Sequence, residues 1–286
     1  MFGLLTISVL AASLYSVLLH KIDFKKSGSV FLFNMASCIA WCVSLLILNG
    51  FRLHIDKNVL LWGFIYGITQ ALFILFKSKA MNEGAVSATT LIGNCSLLIS
   101  VFACLALWNE PISIADIGGL LLLMLGIFLT TYKKANSRFT KKWFFFSLLF
   151  LIFGAGVGLV FKAFSKSESP KAADMMIVAS FVMIISYFII CFIRRDFKAV
   201  AHLIKRPANS FFITALIAGA LSCAYNRLNI FLSGEMIGVV FFPCFNGGVV
   251  VLSTVLGVVL LKEKLTVMQD MGLAIGIIGI CIIGIL

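Results

Sequence analysis

The chain has 286 residues, of which 62% are hydrophobic and only 12% charged, with a mean hydropathy of +1.12. Soluble domains carry roughly 45–50% apolar residues, so an ordinary soluble fold is excluded and the bilayer is the solvent. The net charge of +12 is scattered over short links and never gathered into a basic domain, which leaves no surface for nucleic acid.

Ten charge-free runs follow one another: Phe2 to Leu19, Val30 to Leu48, Val59 to Phe76, Gly84 to Trp108, Ile117 to Tyr132, Trp143 to Phe161, Met175 to Ile193, Ser210 to Asn226, Met236 to Leu261 and Met271 to Leu286. Most approach or exceed the roughly 20 residues a helix needs to cross the hydrocarbon. They are unbroken, unlike the alternating segments of about 10 that build a membrane barrel. The expected fold class is an all-α membrane protein with ten transmembrane helices. The first run has no Lys or Arg before Lys21, unlike a secretory leader, and is read as a permanent helix. The fifth and tenth runs are short, and their polar approaches (Asp116; Gln269 and Asp270) can lie at headgroup depth and lengthen them.

Polar groups inside such runs are functional candidates, because facing lipid would be costly. In chain order they are Asn34 and Trp41, Tyr66 and Gln70, Asn94, Tyr225 and Asn226, and Asn246. Tyr66 and Gln70 lie four apart, on one face of a helix. Together they suit a pocket with aromatic walls and hydrogen-bonding amides, although each amide could equally bond a neighbouring helix. Lys162 and Arg227 stand at the ends of the sixth and eighth runs, towards one face. They either snorkel to the interface or form an anion-attracting pair. Lys77, at the opposite face, reads as an orientation charge. No run contains a carboxylate, which argues against an exporter of cationic drugs. The eight cysteines lack paired ligand spacing and read as packing residues. No metal or cofactor motif is present, and the three histidines sit in links without the partners an intramembrane hydrolase or metalloprotease needs. An enzyme is therefore not expected.

The chain also repeats itself. Glu110, Gly119 and Gly126 recur 153 positions later as Glu263, Gly272 and Gly279, each set following a long uncharged run. Ten runs divide as five and five, with a boundary in the polar link at 137/138, giving repeats 1–137 and 138–286. An odd number of helices per repeat makes the second copy enter from the opposite face, so the repeats are inverted. Glu110 and Glu263 either stabilise the following helix N-terminus or act as protonatable gates. The glycines Gly118, Gly119, Gly126, Gly272, Gly276 and Gly279 allow close backbone approach, within the chain first and between two copies second. Gly154, Gly156 and Gly158 mark a close crossing or a flexible point. Links after odd-numbered runs hold 17 basic residues against 6 in the others. By the positive-inside rule, both termini then face outward, from what reads as the inner cell membrane.

With these features in hand, the chain resembles the ten-helix branch of the drug/metabolite transporter superfamily, the EamA-type permeases. The resemblance rests on Trp108-Asn109-Glu110 and Leu261-Lys262-Glu263 closing the fourth helix of each half, with the glycines after them. It implies two inverted five-helix repeats, with helices 1–4 and 6–9 around a central cavity and helices 5 and 10 peripheral. That family commonly has a proline in the fourth helix of each half. Pro243 matches in the second, whereas Gly93 and Asn94 occupy the region in the first, so the halves need not bend alike. The expected function is alternating-access transport of a small neutral or zwitterionic metabolite such as an amino acid. The alternative is an anionic metabolite held by Lys162 and Arg227.

Overall fold

The computed structural model describes residues 1–19, 27–131, 140–167, 171–194, 209–262 and 264–285. Among these no strand occurs, and the helices are α1 (Phe2–Leu19), α2 (Ser27–Leu48), α3 (Lys57–Glu83), α4 (Val86–Asn94), α5 (Ser96–Trp108), α6 (Ile114–Thr131), α7 (Lys141–Ser165), α8 (Ala172–Arg194), α9 (Asn209–Glu235), α10 (Gly238–Leu261) and α11 (Val267–Ile285). Taking α4 and α5 as one interrupted span, ten segments are long and apolar enough to cross a membrane. Large apolar side chains such as Phe102, Leu121, Phe192 and Val259 are exposed on the outside, as a lipid-facing surface requires. The 137/138 boundary and Glu263 lie outside the described residues.

Local chemistry sets the helix ends. Asp56 accepts from the Val59 N–H at 2.7 Å and Thr140 accepts from the Trp143 N–H at 3.1 Å, so both are N-caps. Before α6, the Ser113 hydroxyl accepts from the Asp116 N–H at 3.0 Å while Asp116 accepts from the Ser113 N–H at 2.8 Å. Before α11, Thr266 and Gln269 exchange the same two bonds at 3.4 and 3.0 Å. These are reciprocal capping boxes, 153 positions apart. They start both helices earlier than the charge-free runs do, which resolves their shortness. The preceding helices also end alike: Asn109 and Lys262 are left-handed, with φ of 48° and 56°. The charged corner is thus one turn used twice.

Helices α6 and α11 interlock through glycine. A methyl group added at Gly126 would lie 2.6 Å from the Gly276 Cα, and one at Gly279 would lie 2.7 Å from the Gly119 carbonyl oxygen. Gly119 meets the end of α11 and Gly126 its beginning, so the two helices run antiparallel through the contact. Buried Gln269 adds a hydrogen bond to the Thr130 carbonyl at 3.2 Å. Gly118 takes no part: nothing lies within 4 Å of a Cβ added there. Elsewhere α3 packs on α7 and α8, α9 packs on α1 and α2, and α2 packs on α8.

The two spans expected to bend do so differently. The fourth is interrupted at Asn94–Cys95 without a proline, where the Cys95 N–H is shared between the Leu91 and Ile92 carbonyls at 3.2 and 3.1 Å. The ninth, α10, carries Pro243 inside one continuous helix.

Candidate functional site

A cavity of about 280 Å³ lies between α3, α4, α5, α7, α9 and α10. Six expected residues line it: Tyr66, Gln70, Asn94, Tyr225, Asn226 and Asn246. Its apolar walls are phenylalanines. Phe161 stacks on Tyr66 with centroids 4.6 Å apart, Phe150 lies 5.0 Å from Phe73, and Phe245 stacks on Tyr225 at 6.3 Å. The broken fourth span supplies Asn94 at its interruption, the usual way a bundle exposes polar groups at membrane depth.

The hydrogen bonding is incomplete in an informative way. Asn226 and Asn246 each donate to the carbonyl four residues back, Ser222 and Phe242, at 2.8 and 2.9 Å, which anchors the amide. Asn229, absent from the sequence reading, also lines the cavity and accepts from the Ser8 hydroxyl at 2.7 Å. Its spacing from Tyr225 repeats that of Gln70 from Tyr66, which is the signal that could have found it. The Tyr66 hydroxyl and the Gln70 side-chain oxygen are buried and have no hydrogen-bond partner. Buried polar groups of this kind are rare, because desolvation without a bond costs about 1–3 kcal/mol each.

Four expected residues fall outside the lining. Asn34 is buried in α2 and donates to the Val30 carbonyl at 2.8 Å. Trp41 packs edge-on against Tyr66 at 6.3 Å, with its Nε1 unpartnered, and so stands behind the site. Arg227 is exposed and lines a second pocket with Asn49, Arg52, His54, Lys171 and Asp174. Lys162 is fully buried and ion-paired with Glu110, whose side chain is 13% exposed. The Lys162–Arg227 anion pair is therefore not assembled, and Lys162 does not snorkel. Conversely Lys77, read from sequence as an orientation charge, lines the cavity. No Asp or Glu does.

The Glu110–Lys162 pair ties several elements together. Glu110 also accepts from the N–H groups of Gly238 and Val239 at 2.6 and 3.3 Å, capping α10, whose own N-cap Ile237 offers no side-chain bond. Lys162 lies 5.8 Å from the Trp108 ring and 3.4 Å from the Met236 carbonyl oxygen. A Cβ at Gly238 would run into the Cys104 Sγ and come within 3.1 Å of both the Lys162 amine and the Glu110 carboxylate, so a side chain there would crowd the pair. Among the described residues, no cluster of three or more His, Cys, Asp or Glu could hold a metal.

Ten apolar spans around an aromatic and amide-lined cavity define a multi-pass membrane transporter. A family model described as sugar transport protein matches residues 40–286, and the chain belongs to that family. A solved crystal structure of a protein 16% identical superposes with a TM-score of 0.68 over 99% of this chain and 98% of that one, which establishes a shared fold. No curated protein matches the chain.

Proposed function

We propose that the protein carries a small hydroxyl-rich solute of the sugar class across the membrane by alternating access. The observation that carries this is the pair of unpartnered, buried groups, the Tyr66 hydroxyl and the Gln70 oxygen, on the wall of a cavity that also offers amides and aromatic faces. A sugar presents hydroxyls to bond such groups and apolar C–H faces to lie on rings. At about 280 Å³ the cavity stands at the small end of ligand pockets, about 300–1,000 Å³, and suits a monosaccharide. The family's name points the same way. An amino acid fits less well, since its ammonium group finds no carboxylate among the described lining residues.

The alternating-access mechanism is supported by how the two five-helix repeats, 1–137 and 138–286, meet. The equivalent helices α6 and α11 cross antiparallel, and the packing of α3 on α7 and α8 has its counterpart in that of α9 on α1 and α2. These pairings support the inverted arrangement that the resemblance to the drug/metabolite transporters implies. On this reading the Glu110–Lys162 pair, which joins the first repeat to α7 and α10, is a gate. It holds one end of the path shut and must part before that end opens.

Counterflow in proteoliposomes loaded with a panel of monosaccharides and amino acids tests the substrate class. Saturable sugar counterflow is expected, reduced about tenfold or more in Tyr66→Phe/Gln70→Leu and abolished in Tyr66→Ala/Asn94→Ala. Amino-acid counterflow without sugar counterflow would reject the reading.

A further inference from the structure

Four polar groups on the cavity wall have already spent protons within their own helices. The Asn226 amide nitrogen donates to both the Ser222 carbonyl, at 2.8 Å, and the Ser222 hydroxyl oxygen, at 3.1 Å. Asn246 donates to the Phe242 carbonyl at 2.9 Å. The hydroxyls of Thr90 and Ser100 donate to the Val86 and Ser96 carbonyls at 2.8 and 3.2 Å. Each of these bonds runs four residues back along one helix, so it holds whether the cavity is full or empty. An amide carries two protons and a hydroxyl one. What Thr90, Ser100 and Asn226 have left for a solute is therefore oxygen, and Asn246 keeps its oxygen and a single proton. Gln70 adds a buried side-chain oxygen with no partner.

These oxygens come from α3, α4, α5, α9 and α10, all of which wall the cavity, so acceptors face the solute from several sides. Asn229 is the converse case. Its oxygen is taken by the Ser8 hydroxyl at 2.7 Å, which leaves its amide protons. Lys77 already has an interaction within the protein and is not part of this balance. An acceptor in a site away from bulk water is satisfied only by a partner that brings a proton. Hydroxyl groups bring one each, whereas a carboxylate or phosphate oxygen brings none and sets lone pair against lone pair. We infer that the cavity selects its solute by the hydroxyl protons the solute donates. It takes an uncharged polyhydroxyl compound and rejects the acid or phosphate of the same sugar. The inference rests on the sugar reading and deepens it. It stands against the anionic alternative, for which Lys162 is neutralised by Glu110 and Arg227 lines a different pocket.

Ligand-induced thermal stabilisation of the purified full chain in detergent tests this, because a ligand that binds the folded state raises the melting temperature with concentration. The neutral probes are glucose, galactose, ribose and glucitol, followed by the deoxy and deoxyfluoro forms of whichever binds most tightly. The acidic probes are glucuronate and glucose 6-phosphate. Fluorine takes the place of a hydroxyl but brings no proton. At two or more positions the deoxyfluoro form should bind as weakly as the deoxy form, each about tenfold below the parent. Both acidic probes should bind at least about tenfold below the best neutral one. In at least one of Ser100→Ala and Thr90→Val, the deficit of one deoxyfluoro form should shrink to about twofold or less, since its acceptor has gone. A merely structural role would weaken every probe alike. Deoxyfluoro forms that bind like the parent, deficits unchanged in both variants, or an acidic probe as tight as the best neutral one would each overturn the inference and leave the sugar reading intact. No stabilisation by any neutral probe would remove the sugar reading as well.

Discussion

Glu110 shows how much one carboxylate can organise. It neutralises a lysine with no solvent exposure and caps α10, 128 positions further along the chain. Breaking a buried pair by removing one partner costs about 3–5 kcal/mol, because the other charge is left uncompensated, whereas removing both can be nearly neutral. We therefore expect Glu110→Gln and Lys162→Met each to lower the melting temperature strongly and the double variant to recover most of the loss. Additive losses would mean that the pair is not coupled. From sequence, Glu110 stood out as a repeated acid at a helix start, read either as a stabiliser of that helix or as a protonatable gate. The burial of Lys162 was not legible, because its counter-charge lies 52 positions away in another span. Lys77 was misjudged for a related reason. Its place near a run's end suggested a link, but α3 continues to Glu83 and carries it along the cavity wall. The amides and tyrosines were legible because a polar group inside an apolar run needs a reason to be there.

At the scale of helices, the duplicated corner and the glycine seam were readable as spacing, and the packing explains them. Gly126 and Gly279 meet the opposing backbone directly, while Gly118 faces open space. Gly126→Val should accordingly destabilise by several kcal/mol through overpacking, with Gly118→Val close to wild type. Equal melting temperatures for the two variants would contradict this packing. Because these glycines are spent on the contact between α6 and α11, they are not available as a dimer surface. The interruption at Asn94 was not legible as a break, since no proline marks it. The proline that is present, Pro243, sits in a helix that stays continuous. Pro243 lies past the first turn of α10 and removes the bond its N–H would give to the Val239 carbonyl without ending the helix, whereas shared hydrogen bonding at Cys95 accompanies the interruption beside the cavity.

For the molecule as a whole, composition pointed to the bilayer, the charge-free runs gave the ten spans, and the 153-residue period suggested the inverted plan. The cavity's membership could not be read this way. Helices α1, α2 and α8 were expected to surround it with the others, yet none of their described residues lines it, and they stand behind it, with Trp41 behind Tyr66 and Ser8 behind Asn229. The positive-inside reading of the charge bias predicts that both termini face outward, so a C-terminal reporter that fluoresces only in the cytoplasm should stay dark. A bright signal would reverse the orientation while leaving the inverted plan untouched. The glycine seam has one more consequence. Where backbone rests on backbone with no side chain between, sliding along the axis would drive main-chain atoms into one another, while a small roll about the crossing point meets no such barrier. On the proposed alternating-access reading, the seam is a fulcrum. The displacement it permits grows with distance from it and is largest on the far flank, around α2 and α8.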